Sequence, residues 1–127
     1  MDKQKMIIFK ENEYLVKFPT MGQLQDIEAF KIAYTNGRYA DMVTSGLRTH
    51  DFNLDVADSV SYFRSLCPQL VKDLEIKNWG DIDPFLAKDL IKCYKKQLIP
   101  WLKPILDDLY SFDTEDDQDD EEEQTEG

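Results

Sequence analysis

Histidine and cysteine are nearly missing from this sequence: one His, at position 50, and two Cys, at 67 and 93, among 127 residues. Three scattered ligands fall short of the roughly four Cys and His that a structural zinc site needs. A lone His50 beside Asp51 reads as a surface or capping residue rather than a general base. Pairing His50 with Cys67 or Cys93 would require a thiolate, and both cysteines fall on apolar helical faces that disfavour one. With no CxxC spacing, they read as reduced, buried thiols. Phosphate-cradling loops of the GxxxxGK[ST] or GxGxxG kind are also missing. Asp81 and Asp83 form the one suggestive carboxylate pair. Asp83 is better explained as the helix cap before Pro84 and Asp81 as a turn residue. The reading is therefore non-enzymatic, with no catalytic residue, no cofactor and no metal.

Long apolar runs are lacking too. Met6-Ile7-Ile8-Phe9 is bounded by Lys5 and Lys10 and is too short for a signal-peptide core. Nothing approaches the ~18 apolar residues of a membrane span. The expected location is cytoplasmic, with no membrane partner.

Positive charge is in deficit: 15 Lys and Arg against 26 Asp and Glu give a net charge of −11. The deficit is concentrated at one end. Ten acidic residues lie in 113–127, namely Asp113, Glu115, Asp116, Asp117, Asp119, Asp120, Glu121, Glu122, Glu123 and Glu126. That segment has no basic and no apolar side chain, so it cannot offset its ordering entropy and is expected to be a disordered acidic tail. Asp113, Glu115, Asp117 and Asp119 alternate like a calcium loop, but the central glycine and a following helix are missing. The remaining 16 acidic and 15 basic residues leave 1–112 almost neutral. Its lysines are dispersed, which speaks against direct nucleic-acid binding. The tail suits solvation, or steering toward a basic protein surface.

Residues 1–112 read as one globular domain. Met6–Phe9 and Tyr14–Phe18 are β-branched and aromatic runs around Lys10-Glu11-Asn12-Glu13, which predicts a hairpin over 6–18. A helical body over 20–112 follows. Thr20-Met21-Gly22-Gln23 has capping-box form. Leu24, Ile27, Phe30 and Tyr34 make one buried face, with Gln25, Asp26, Glu28 and Lys31 on the wet side. Asn36-Gly37 ends that helix. Arg38–Ser45 is a short helix closed by Gly46, and 48–51 reads as a loop. Val56, Val60, Phe63 and Cys67 form the face of a helix over roughly 53–67. Pro68 interrupts it, and Leu70, Val71, Leu74 and Ile76 continue as a short helix. After a turn at 78–81, Asp83-Pro84 starts a helix buried through Ala87, Leu90, Ile91, Tyr94 and Leu98. Pro100 and Pro104 are expected to break or kink the chain. Trp101, Leu102, Ile105, Leu106 and Leu109 make one more short helix. The expected fold is mainly α, with about four to six helices on an N-terminal hairpin.

Trp79, Phe85, Tyr94, Trp101, Tyr110 and Phe112 exceed what the centre of so small a core can take. Because Trp and Tyr anchor interfaces, these six residues are the candidate partner-binding set.

The stretch Tyr14-Leu15-Val16-Lys17-Phe18-Pro19-Thr20-Met21-Gly22-Gln23-Leu24 is a strand, a Pro-Thr break and a capped helix. It resembles the opening of tail assembly chaperones of tailed bacteriophages and of small gut-phage structural proteins. Leu54-Asp55-Val56-Ala57-Asp58 resembles a later helix start in that family. The resemblance implies a small, acidic, mainly helical protein that keeps an aggregation-prone virion component soluble. The partner it implies is a tape-measure protein or a tail-tube subunit. It transfers no binding residue, and a long acidic tail does not define the family. Two other readings stay open: a structural adaptor or decoration protein of the virion, and an acidic-tailed inhibitor of a host nucleic-acid-binding protein. The oligomeric state is left open.

Overall fold

The computed structural model describes residues 3–111. Strands β1 (Gln4–Phe9) and β2 (Asn12–Lys17) pair antiparallel, with Phe9 opposite Asn12 and Met6 opposite Leu15. The turn is tighter than expected, because only Lys10 and Glu11 lie outside the strands. Both have positive φ, 49° and 70°. That is the primed-turn geometry whose twist matches the strands it joins. Alternation sends Ile7, Phe9, Tyr14 and Val16 into the core and leaves Met6, Ile8 and Leu15 on the outer face.

Helix α1 (Met21–Tyr34) begins with the expected capping box. Thr20 Oγ1 accepts the Gln23 N–H at 3.2 Å, and Gln23 Oε1 accepts the Thr20 N–H at 2.9 Å. It ends at Asn36 and Gly37, both at positive φ, with the Gly37 N–H donating to the Ile32 carbonyl at 2.8 Å. Ile27 is buried, and Leu24, Phe30 and Tyr34 are half-buried. Lys31 departs from expectation: it is buried, not on the wet side. Besides Glu28 of its own helix, its ammonium faces Asp58 and the Tyr39 and Tyr62 rings on neighbouring elements, which no one-helix pattern can register.

Helix α2 (Tyr39–Ser45) closes at Gly46, whose φ of 70° suits glycine. Helix α3 (Arg48–Leu66) starts earlier than expected. Residues 48–51 are its first turn, not a loop. Its predicted face is buried throughout: Val56, Val60, Phe63 and then Cys67. Pro68 opens α4 (Pro68–Asp73), and a single 3-10 turn spans Trp79–Asp81.

Helix α5 (Pro84–Cys93) is capped as expected, Asp83 Oδ2 accepting the Phe85 and Leu86 N–H groups at 3.1 and 3.0 Å. Ala87, Leu90, Ile91, Tyr94 and Leu98 are all buried. Pro100 and Pro104 do not break the rod. The helix continues as α6 over 99–111, after one widened π turn at Tyr94–Leu98. There the Ile99 N–H donates to the Tyr94 carbonyl, five residues back. Pro100 has no N–H to offer, and its ring crowds the preceding turn. A π turn just before it accommodates that crowding without ending the helix.

The main core joins the inner hairpin face to Ile27, Tyr62, Phe63, Leu66, Leu70, Leu90, Leu98 and Leu102. A smaller cluster unites Val56, Val60, Ala87 and Ile91. The fold is mainly α with an N-terminal hairpin. Among the described residues, no helix is long and apolar enough to cross a membrane. Phe112 and the acidic segment 113–127 lie outside the described residues.

Candidate functional site

Helices α3 and α6 run beside each other and leave a groove of about 380 Å³. From α3 come Asp55, Asp58 and Tyr62, at helical steps of three and four. Tyr94, Lys95, Ile99, Lys103, Leu106, Asp107 and Tyr110 face them from the π turn and α6. The floor is apolar: Tyr62 and Tyr94 are buried with ring centroids 5.3 Å apart. Leu106 is buried beside them and Ile99 half-buried. The rims are charged and paired, Lys95 with Asp55 at 2.8 Å and Lys103 with Asp107 at 2.8 Å. Tyr110 is also a wall residue, and it is 61 % exposed.

Behind the floor lies a charge cluster built around one buried lysine. The Lys31 ammonium is 3.1 Å from Glu28 and 3.7 Å from Asp58, and it sits 5.1 Å from the Tyr62 ring centroid. Asp58 also accepts the Tyr39 hydroxyl at 2.6 Å. Burial alone would pull Lys31 down, but Tyr62, Asp58 and Glu28 outweigh it and hold the ammonium above its ordinary value. Burial pushes the Asp58 carboxyl up, against the Tyr39 hydroxyl and Lys31, which pull it down. Burial likewise pushes the Tyr62 and Tyr94 phenols up. The floor thus presents two buried aromatic rings, and one of them, Tyr62, stands over the Lys31 cation.

The six predicted anchors do not form one patch. Tyr94 and Tyr110 meet in this groove, although Tyr94 is buried and offers floor rather than an exposed anchor. Trp79 is half-buried outside the groove, where it lines a shallow surface with Phe30 and Tyr34. Its carbonyl accepts the Tyr34 hydroxyl at 3.3 Å. Trp101 packs edge-on against Phe18, centroids 6.4 Å apart, beside the hairpin. Phe85 is 76 % exposed at the start of α5. Phe112 is outside the described residues.

Sequence reasoning missed Tyr62, Ile99 and Leu106 as groove residues, and Asp55, Asp58, Lys95 and Lys103 as its charged lining. The signal was present in two second stripes. Asp55, Asp58 and Tyr62 repeat at helical spacing beside the buried stripe of α3, as do Lys95, Ile99 and Lys103 on the long helix.

His50 does not line this groove; it sits in the first turn of α3, with Nδ1 2.6 Å from Ser45 Oγ. It lines a separate cavity of about 290 Å³ with Tyr34, Arg38 and Asp41. Cys67 and Cys93 are buried free thiols. Among the described residues, no group of three or more His, Cys, Asp or Glu could hold a metal ion. No protein-family model, no curated protein and no solved structure matches this chain.

Proposed function

We propose that this protein acts by binding, without catalysis, as a tail assembly chaperone-like protein of a bacteriophage. In this reading, the α3–α6 groove holds an amphipathic segment of an aggregation-prone virion component, a tape-measure or tail-tube protein, in the host cytoplasm. The observation that carries it is the groove: an aromatic and aliphatic floor of Tyr62, Tyr94, Ile99 and Leu106 between rims of paired charge. Apolar side chains of a partner fill such a floor while polar ones meet the rims. The helix carrying half of the groove leads in sequence straight into the ten acidic residues of 113–127. Their charge would keep a complex with a sticky partner soluble and repel further copies.

The test is co-expression with the tape-measure and tail-tube proteins of the same phage. Higher soluble yield of either one supports the reading, and unchanged solubility of both overturns it. Purified virions analysed by mass spectrometry should lack the protein. Stoichiometric amounts there would favour a structural adaptor instead.

A further inference from the structure

The two edges of the hairpin are treated differently. With Phe9 opposite Asn12 across a two-residue turn, the hydrogen-bonded pairs are Phe9 with Asn12, Ile7 with Tyr14 and Lys5 with Val16. The Phe18 N–H to Lys3 carbonyl bond, 2.7 Å, continues that series. The backbone groups of Ile8 therefore point away from β2, where Gln97 of the π turn satisfies both. Its Oε1 accepts the Ile8 N–H at 2.7 Å and its Nε2 donates to the Ile8 carbonyl at 2.7 Å. By the same alternation, the backbone groups of Glu13, Leu15 and Lys17 point outward from β2. Among the described residues, no hydrogen bond reaches them. The side chains of these three residues are all exposed, and Leu15 is 47 % exposed.

We infer that the β2 edge pairs with the β2 edge of a second copy of this chain, antiparallel about a two-fold axis at Leu15. In that register Leu15 lies opposite Leu15 of the other copy, and Glu13 lies opposite Lys17 in both directions. Each opposed pair exchanges two backbone hydrogen bonds and satisfies the outward groups of β2. The charges choose this register over its neighbours. A slip of two residues sets Leu15 against Glu13 or Lys17, and a parallel in-register pair sets like charge on like charge. The interface is isologous and closes on itself through the two-fold axis, while on the β1 edge Gln97 already occupies the outward groups of Ile8. Leu15, Met6 and Ile8 then shelter one another along a four-stranded sheet instead of standing alone on an outer face.

Sedimentation equilibrium of the full chain, in about 0.15 M salt to screen the acidic segments, gives the reading. The expected mass is twice the 14.9 kDa of one chain. Glu13→Lys and Lys17→Glu each place like charges opposite each other and should weaken association at least tenfold. The double variant Glu13→Lys/Lys17→Glu restores opposite pairing and should recover it. Circular dichroism on each variant confirms that the fold is kept. A monomeric wild-type chain overturns the proposal, and so does a dimer indifferent to the single charge reversals or not rescued by the double one.

Discussion

Lys31 and Asp58 tie helix α1 to helix α3 from the inside, Lys31 Nζ standing 3.7 Å from Asp58 Oδ1 with the lysine side chain only 10 % exposed. Asp58 adds α2 to the same point through the Tyr39 hydroxyl. Removing Asp58 leaves the buried ammonium with Glu28 alone and the Tyr39 hydroxyl without its acceptor. Asp58→Ala should therefore lower stability by about 2 kcal/mol in urea unfolding. Lys31→Met, which removes the ammonium from over the Tyr39 and Tyr62 rings and keeps an apolar stem in its place, should cost less than that. Equal losses for the two variants would show that Lys31 contributes by charge alone.

Gln97 stands in for a strand at the edge of β1, and its two bonds to Ile8 are ordinary neutral ones. Gln97→Ala should cost about 1–2 kcal/mol. The amide of Ile8 should exchange with deuterium faster, while that of Ile7, bonded within the hairpin, is protected nearly as before. Unchanged exchange at Ile8 would show that Gln97 does not cap the edge in solution.

Burial pushes the Cys93 thiol up to about 11 from its ordinary 9.0, and it pushes the Cys67 thiol up as well. A folded value above the unfolded one favours the folded state below pH 9.0, and that contribution is lost as pH rises through about 11. Stability should therefore fall across that interval, and Cys93→Ala should flatten the fall. In the native protein at pH 8, iodoacetamide should label both thiols far more slowly than in urea. Rapid native labelling would contradict their burial.

Local signals in the sequence were read well, because their physics is local. Thr20 with Gln23, Asp83 with Pro84, and Asn36 with Gly37 each act within one turn of chain, so spacing is sufficient. The buried stripes of α3 and α5 followed from periodicity alone. Lys31 was misplaced because its partners Asp58 and Tyr62 lie on another helix. The start of α3 was missed because Leu47 occupies the N-cap position and has no side-chain oxygen to announce it. Pro100 looked like a break because its ring usually is one. The π turn that accommodates it has no signature in the sequence beyond the proline itself. The groove was half visible: Tyr94 and Tyr110 were singled out, but the facing stripe of α3 was hidden beside a stronger apolar one.

The claim that the α3–α6 groove is the binding surface is tested most directly by photo-crosslinking. A benzophenone amino acid is placed at position 110, in the groove, or at position 85, an even more exposed aromatic position outside it. Each variant is co-expressed with the tape-measure and tail-tube proteins. Position 110 should give an adduct with one of them, and position 85 should give none. Adducts from position 85 with none from 110, or none from either, would contradict the assignment of the groove.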